Sequence, residues 1–428
     1  MSRSLQDIID LYKETFYTED DASIALIAAI LIGSHLEVPP VWLYLIGPSS
    51  GGKSALIECF NKLPFCTQVS DLTPNTFLSG MSSGTRETSL LNKLGVKFTI
   101  LMKDFTTILS KSEETQQAII SQMREIYDGH ITKETGTGIT LEWGGKEKDK
   151  KGHATFIMAS TEAIYSVQDK FADMGTRAIN YVLKPQDRKI TTKMSLRRNS
   201  GLSQKVDELQ DAFLEFVMDK MRNIPKELPY VSEELENDIV ELGDFSTLCR
   251  SVVKRDYKGA KNLALSAEMP MRMSKQLLTS TQIFIYMSNG VLPDYLRETI
   301  YKISFDSIPK QRLLVLDVLA KYNRVSKTGI SDLVNYPPER CTEWMEDLHM
   351  FRIIDRIKVG GRQFWKMKQE YKDIMHKYRG TVCTDEDLDS EDEGGGFSSA
   401  GNYEDVSYET IEQLKSIEES AQKSFDSI

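Results

Sequence analysis

The chain has 428 residues, 40% of them hydrophobic and 27% charged, with five cysteines and a formal net charge of −10. That length suits roughly two to three domains with real cores, and the longest apolar run, Ile24 to Gly33, is far short of a membrane span and lacks a signal peptide's basic start. Cys59, Cys66, Cys249, Cys341 and Cys383 show no C-x-x-C spacing and the five histidines are scattered, so a disulfide scaffold and a zinc site are excluded and a reducing, cytoplasmic setting is expected.

Ser4 to Phe16 and Glu19 to Ser34 read as two helices, the second capped near Asp20 and Asp21 and apolar on nearly every side. Pro39-Pro40 closes that segment. Val41 to Ile46 is then an apolar strand, followed by Gly47-Pro48-Ser49-Ser50-Gly51-Gly52-Lys53-Ser54 and a helical run from Ala55 to Lys62. Gly47, Gly52, Lys53 and Ser54 satisfy G-x-x-x-x-G-K-[ST] in the strand-loop-helix context the pattern requires. Glycines let successive N–H groups face an anion, and the helix start adds its dipole. Lys53 is suited to the β- and γ-phosphates and the Ser54 hydroxyl to Mg²⁺. Binding of ATP with Mg²⁺ through residues 47–54 is expected.

Thr67 to Leu72 reads as a short strand, and Thr73 to Gly80 as a turn and loop. Val96 to Met102 is an apolar strand ending in Lys103-Asp104-Phe105. At such a strand end a P-loop ATPase keeps an acid that orients Mg²⁺ or the attacking water. Only Asp104 can serve, because Lys103 stands in the usual place of the first acid. Glu113 to Tyr127 is a helix, and Gly129 to Trp143 alternates as a β-hairpin, followed by a basic tip from Lys146 to Gly152. Ala154 to Ser160 is a strand ending in Thr161-Glu162; a helix over 161–169 leads to Arg177 and a further strand, Ala178 to Leu183. This alternation predicts a parallel sheet with helices on both faces, an α/β fold.

From Lys189 to about Met287 the pattern is helical, with Lys193, Arg197 and Arg198 forming a basic stretch. Arg272 falls near a helix start, and Met269, Met271 and Met273 read as packing. Helices over Pro309–Tyr322 and Ser326–Val334, a third that starts after Pro337-Pro338 and runs to Met350, then a two-stranded wing from Ile353 to Met367 turning at Gly360-Gly361, predict a winged helix-turn-helix. The third of these helices carries Glu339, Glu343, Glu346 and Asp347 against Arg340, a poor match to a DNA major groove. The wing is basic, with Arg352, Arg356, Lys358, Arg362 and Lys366. It suits backbone contact with nucleic acid, or docking of a protein. Residues 384–428 hold fourteen Asp/Glu and two lysines, a net of −12, which leaves +2 for the rest of the chain. They read as a disordered acidic tail with a short helix around Val406 to Glu419, either a nucleic-acid mimic or a solubilising end. The near-neutral body is compatible with a nucleic-acid partner.

In this order of P-loop, acidic strand end, hairpin, polar strand end, Gly-x-Arg177 and later helical Arg272, the chain resembles AAA+ ATPases. Within them it is similar to the minichromosome-maintenance-like replication ATPases of phages and mobile elements. The resemblance covers roughly residues 40–285. Together with the pattern read above, it divides the chain into N-terminal helices over 1–39, an AAA+ core over 40–188 and a helical lid or linker over 189–305. A winged helix over 306–368 and a C-terminal segment with the tail over 369–428 follow. It implies a Walker A loop at Gly47–Ser54, Asp104 as the catalytic acid and Thr161 in the sensor-1 place. Arg177 would be an arginine finger acting across a subunit interface, and Arg272 the sensor-2 arginine. Residues 129–145 fall where the family has a hairpin that enters the channel and touches DNA. His130, Lys133, Lys146, Lys148, Lys150 and Lys151 are the contact candidates there, with Arg356, Lys358 and Arg362 in the wing. The implied activity is a Mg²⁺-ATP-driven homo-oligomeric ring on single-stranded or forked DNA, a helicase or helicase-like ATPase indifferent to sequence. It would work in the host cytoplasm if phage-encoded, with the tail recruiting a replication partner. A second reading is a nucleotide-switched loader or initiation scaffold with little turnover, favoured by Lys103 and the acidic third helix. A P-loop kinase is a weaker fit, since it needs no finger, winged helix or tail. Glu125 and Glu162 are further acids that nothing in the sequence places near the nucleotide.

Overall fold

Five short apolar runs decide the architecture by pairing side by side. A computed structural model describes residues 3–388 apart from 80–88, 135–137, 139, 146–150, 166–176, 199, 256–260, 265–266 and 385. Strands β1 (Trp42–Ile46), β2 (Cys66–Gln68), β3 (Lys97–Met102), β6 (His153–Ser160) and β7 (Ala178–Val182) form one parallel sheet in the order β2-β3-β6-β1-β7. Between β3 and β6 the chain makes an antiparallel hairpin of β4 (Ile131–Glu134) and β5 (Thr140–Trp143). The fold is α/β, as the alternation predicts.

Side-chain alternation sends each strand's residues to two separate cores. Leu43, Leu45, Ile157, Ala159, Ile179 and Tyr181 face one side with α1 (Leu5–Thr15), α2 (Asp21–Gly33) and α3 (Lys53–Glu58). Trp42, Ile46, Phe156, Met158 and Met102 face the other, where short helices α4 (Leu90–Leu94) and α5 (Thr106–Leu109) precede α6 (Glu113–Tyr127). The apolar helix α2 is buried from Ala22 to Gly33, with Asp20 as its cap.

Helices α7 (Arg188–Arg197), α8 (Leu202–Arg222), α9 (Glu233–Arg250), α10 (Met271–Met287) and α11 (Asp294–Asp306) follow the sheet. The expectation of helix throughout 189–287 needs one correction. β8 (Val253–Arg255) and β9 (Lys261–Ala264) pair antiparallel, because Ser251 leaves α9 in extended geometry and the β-branched Val252-Val253 continues it. A second correction concerns the methionines: Met273 is buried, but Met269 and Met271 are 73% and 61% exposed. They flank Pro270, the cap of α10, before the helix turns a face inward.

The C-terminal part has α12 (Lys310–Lys321), β10 (Arg324–Ser326), α13 (Lys327–Val334), α14 (Pro338–Met350) and the hairpin β11 (Ile354–Val359) with β12 (Arg362–Met367). Sequence reasoning missed β10, which pairs with β12, and also α15 (Gln369–Arg379) and β13 (Asp387–Leu388). Ile374, Met375 and Tyr378 of α15 share a core with Leu242, Phe245 and Cys249 of α9, so one hydrophobic cluster runs across residue 306. The tail expected to be disordered from Thr384 needs a correction at its start, where Asp387–Leu388 pairs with β10; the rest of it and its short helix lie outside the described residues, as do Lys146, Lys148, Lys150 and residues 166–169 of the helix expected over 161–169.

Candidate functional site

The C-terminal edge of a parallel sheet is where its loops gather and ligands settle. β1 ends at Ile46, and the Gly47 N–H donates to Ser160 O (3.2 Å), pinning the loop to β6 as it leaves the sheet. Gly51 N–H closes the turn on Pro48 O (3.1 Å). Ser50 at φ 62° and Gly52 at φ 85° are left-handed; for the serine that costs about 1–2 kcal/mol, strain held in the loop. Gly52 is also the cap of α3, so Lys53 and Ser54 open the helix where backbone N–H groups lack helical acceptors. The helix therefore starts two residues before the expected Ala55 and ends at Glu58.

Lys53 is only 8% exposed and folds back, its Nζ donating to Gly47 O (2.8 Å) and Pro48 O (2.6 Å). Burial lowers its pKa from 10.5, while the Asp104 carboxylate raises it. Asp104 follows β3, is exposed, and accepts through Oδ1 from the Thr106 N–H (2.8 Å) and the Thr106 hydroxyl. Its Oδ2 takes no hydrogen bond among the described residues. Ser54 is exposed, with only a long contact from Oγ to Lys103 O (3.4 Å). Among the described residues no three His, Cys, Asp or Glu side chains gather to hold a metal. One accessible hydroxyl and one carboxylate fit a Mg²⁺ ion that arrives with nucleotide phosphates and keeps its waters.

Lys103 points elsewhere. Its ammonium is ion-paired with Glu58 at the end of α3, an acid that sequence reasoning missed. The signal was present, because Glu58 lies four residues after Ser54 and so on the same helix face. Thr161 directly follows Ser160, the acceptor for Gly47, and sits beside the loop with its hydroxyl accepting from Ala163 N–H (3.4 Å). The Ser160 hydroxyl is buried with no hydrogen-bond partner among the described residues. Glu162 pairs with Lys310 (2.7 Å), and Glu125 lies in the last turn of α6, two residues before Tyr127.

Arg177 and Arg272 are brought together, but at the other edge. Arg177 immediately precedes β7, whose Ala178 is level with Trp42 at the start of β1. Both guanidinium groups lie over Tyr127, at 6.0 and 5.9 Å from the ring centroid. Gln276, one turn beyond Arg272, donates to Arg177 O (2.7 Å) and to Pro40 O (3.4 Å). Burial and the neighbouring Arg272 lower the Arg177 pKa from 12.5, against the pull of Asp128 at 3.6 Å. Burial pushes the Tyr127 hydroxyl up to about 12. Neither arginine reaches the loop of its own chain.

The basic candidates divide. His130 bonds Glu142 (2.8 Å), and the Lys133 ammonium donates to Asn75 Oδ1 (2.8 Å) and Pro74 O (3.2 Å), so both are tied to protein partners. Lys151, Arg356, Lys358 and Arg362 are exposed, with Arg356 over the Trp365 ring and bonded to Gln363.

No protein-family profile and no curated protein matches the chain. Among solved structures, the apo A form of the NrS-1 C-terminal region is similar at 11% identity and a TM-score of 0.30, over 86% of this chain and 76% of that one. A likeness so distant carries no argument. Among the described residues no helix is long and apolar enough to cross a membrane.

Proposed function

We propose that the chain is an AAA+ ATPase that works as a homo-oligomeric, DNA-dependent motor, a replicative helicase or helicase-like ATPase. One observation carries this. Lys53, Ser54, Asp104 and Thr161 meet at one edge of the sheet, while Arg177 and Arg272 meet at the opposite edge. A site divided in this way is completed when one copy presents its arginines to the loop of the next. The loop amides and Lys53 bind the phosphates, and Asp104 with Thr161 orients the attacking water. The arriving Arg177 stabilises charge developing on the γ-phosphate. Ser54 would hold the Mg²⁺ that arrives with the nucleotide, and that ion would supply positive charge beside the phosphates. Helices α12 to α14 with the β11-β12 hairpin are read as a winged helix, whose Arg356, Lys358 and Arg362 suit a phosphate backbone without base readout. The test is steady-state ATP hydrolysis with and without single-stranded DNA, with Lys53→Ala as the blank. Stimulation by DNA that vanishes in the variant is expected; tight ATP binding with no turnover under either condition sinks the motor.

That second outcome is the mark of a nucleotide-switched loader or scaffold. Lys103 in the place of an acid favours it, since only Asp104 remains to assist hydrolysis.

A further inference from the structure

Residue 103 stands where an acid would face the cation of a bound nucleotide, yet it carries the opposite charge. A loose ammonium there would repel a divalent cation by more than about one order of magnitude in binding. It is not loose. Ser54 and Glu58 lie one helical turn apart on α3, and both address residue 103. The Ser54 hydroxyl contacts the Lys103 carbonyl (3.4 Å), and the Glu58 carboxylate pairs with the Lys103 ammonium. The pair is half-buried, with side-chain exposures of 29% for Lys103 and 40% for Glu58. Asp104, next in the chain, turns instead to Thr106, accepting from its N–H (2.8 Å). The strand end thus separates its two charges, the lysine against α3 and the acid on Thr106.

We infer that Glu58 is a positioning residue that holds Lys103 off the phosphate and Mg²⁺ position. The lysine can stand at the strand end only because this acid, displaced onto α3, restrains it. The inference rests on the nucleotide reading above. It follows that releasing Lys103 lets its ammonium take over part of the work of the cation.

The readout is ATP affinity by calorimetry in Mg²⁺ and in EDTA, whose ratio is the gain from the metal. Wild type is expected to show a large gain. In Glu58→Gln the affinity in EDTA rises and the gain shrinks about tenfold. Adding Lys103→Met to Glu58→Gln restores the gain, and Lys103→Met alone keeps it. Melting curves accompany every variant. An unchanged ratio in Glu58→Gln overturns the inference. So does equal weakening in Mg²⁺ and EDTA with a lowered melting temperature, which marks a merely structural pair. Loss of the gain in Lys103→Met alone also overturns it, and that variant decides the matter if Glu58→Gln does not fold. If wild type binds no ATP, or binds it no better than Lys53→Ala does, the nucleotide reading itself fails, and that result is distinct from the others.

Discussion

Asp306→Ala should lower the melting temperature by about 2–5 °C. β7 is the outer strand of the sheet, and its free amides are taken up by the end of α11. The Val182 N–H donates to Asp306 Oδ2 (2.7 Å) and the Asn180 N–H to Ser307 Oγ (3.1 Å). Burial raises the Asp306 pKa above 3.8, against the pull of Lys302, with which it is paired. Truncation leaves the Val182 amide without its acceptor, about 1–3 kcal/mol. Lys302 loses its counter-ion but is 26% exposed and keeps the Tyr181 ring at 4.6 Å, so its share is about 1 kcal/mol. The sum is about 2–4 kcal/mol. Unfolding entropy near 2.1 cal/mol/K per residue, over the 389 residues of the unit Met1–Asp389, is about 0.8 kcal/mol/K, which gives the stated shift. The assay is thermal melting by circular dichroism, with Asp306→Asn alongside, since its amide oxygen still accepts from Val182. Asn is expected to recover about half of the loss. A melt of Asp306→Ala that matches wild type, or an Asn variant as damaged as Ala, refutes the reasoning.

Arg312 is buried and donates to Cys249 O (2.9 Å), Ser251 O (2.6 Å) and Asp347 Oδ2 (3.1 Å). Asp347→Ala therefore costs about 3–5 kcal/mol in urea titrations, and Arg312→Met on top of it should recover part of that rather than add to it. His153 donates from Nε2 to Val38 O (2.9 Å), and burial lowers its pKa from 6.5. The unfolded chain then takes up a proton that the folded chain resists, so the stability tied to His153 is whole above pH 6.5 and is lost as pH falls through the depressed value. His35 acts in the same direction. Melting temperature should fall below pH 6.5, and His153→Gln should flatten the fall; an unchanged profile refutes this. On the proposed reading as a DNA-dependent motor, Lys133→Ala loosens the Pro74–Leu78 loop by about 1–2 kcal/mol yet leaves the salt dependence of DNA binding intact, whereas Lys151→Ala reduces the salt slope by about 1. Equal slopes lost in both variants would return Lys133 to the contact set.

The sheet was legible because its strands are continuous apolar runs with turn residues between them, and α6 was legible to the residue because Ser112 caps it. Sequence also gave the loop edge, since the motif and the order of strand ends fix Lys53, Ser54, Asp104 and Thr161 on one side. What it did not give is which charges meet. Lys103 and Glu58 are 45 residues apart, and only the β3-β6-β1 pairing places the strand end against α3. The meeting of Arg177, Arg272 and Tyr127 was hidden for the same reason, because three distant segments converge on one ring. The strands β8 and β9 were missed because they are only 3 and 4 residues long, and helical neighbours on both sides outweigh so short a signal.

The separation of the two edges makes the proposed motor testable without a structure of an assembly. Five β7 residues at about 3.3 Å each put Arg177 some 16 Å or more from the level of its own loop. That is about twice the Debye length at physiological salt, so its charge is screened from any phosphate held there. On the proposed reading, a copy with Lys53→Ala keeps good arginines and a copy with Arg177→Ala keeps a good loop. Neither should hydrolyse ATP alone. Mixed in equal amounts, about a quarter of head-to-tail junctions pair an intact loop with an intact arginine, and turnover should recover to about that fraction of wild type. Wild-type specific activity should likewise collapse on dilution as junctions are lost. Specific activity that stays constant on dilution, with no recovery in the mixture, would mean that each chain acts alone and that the arginines over Tyr127 only hold α10 against β7.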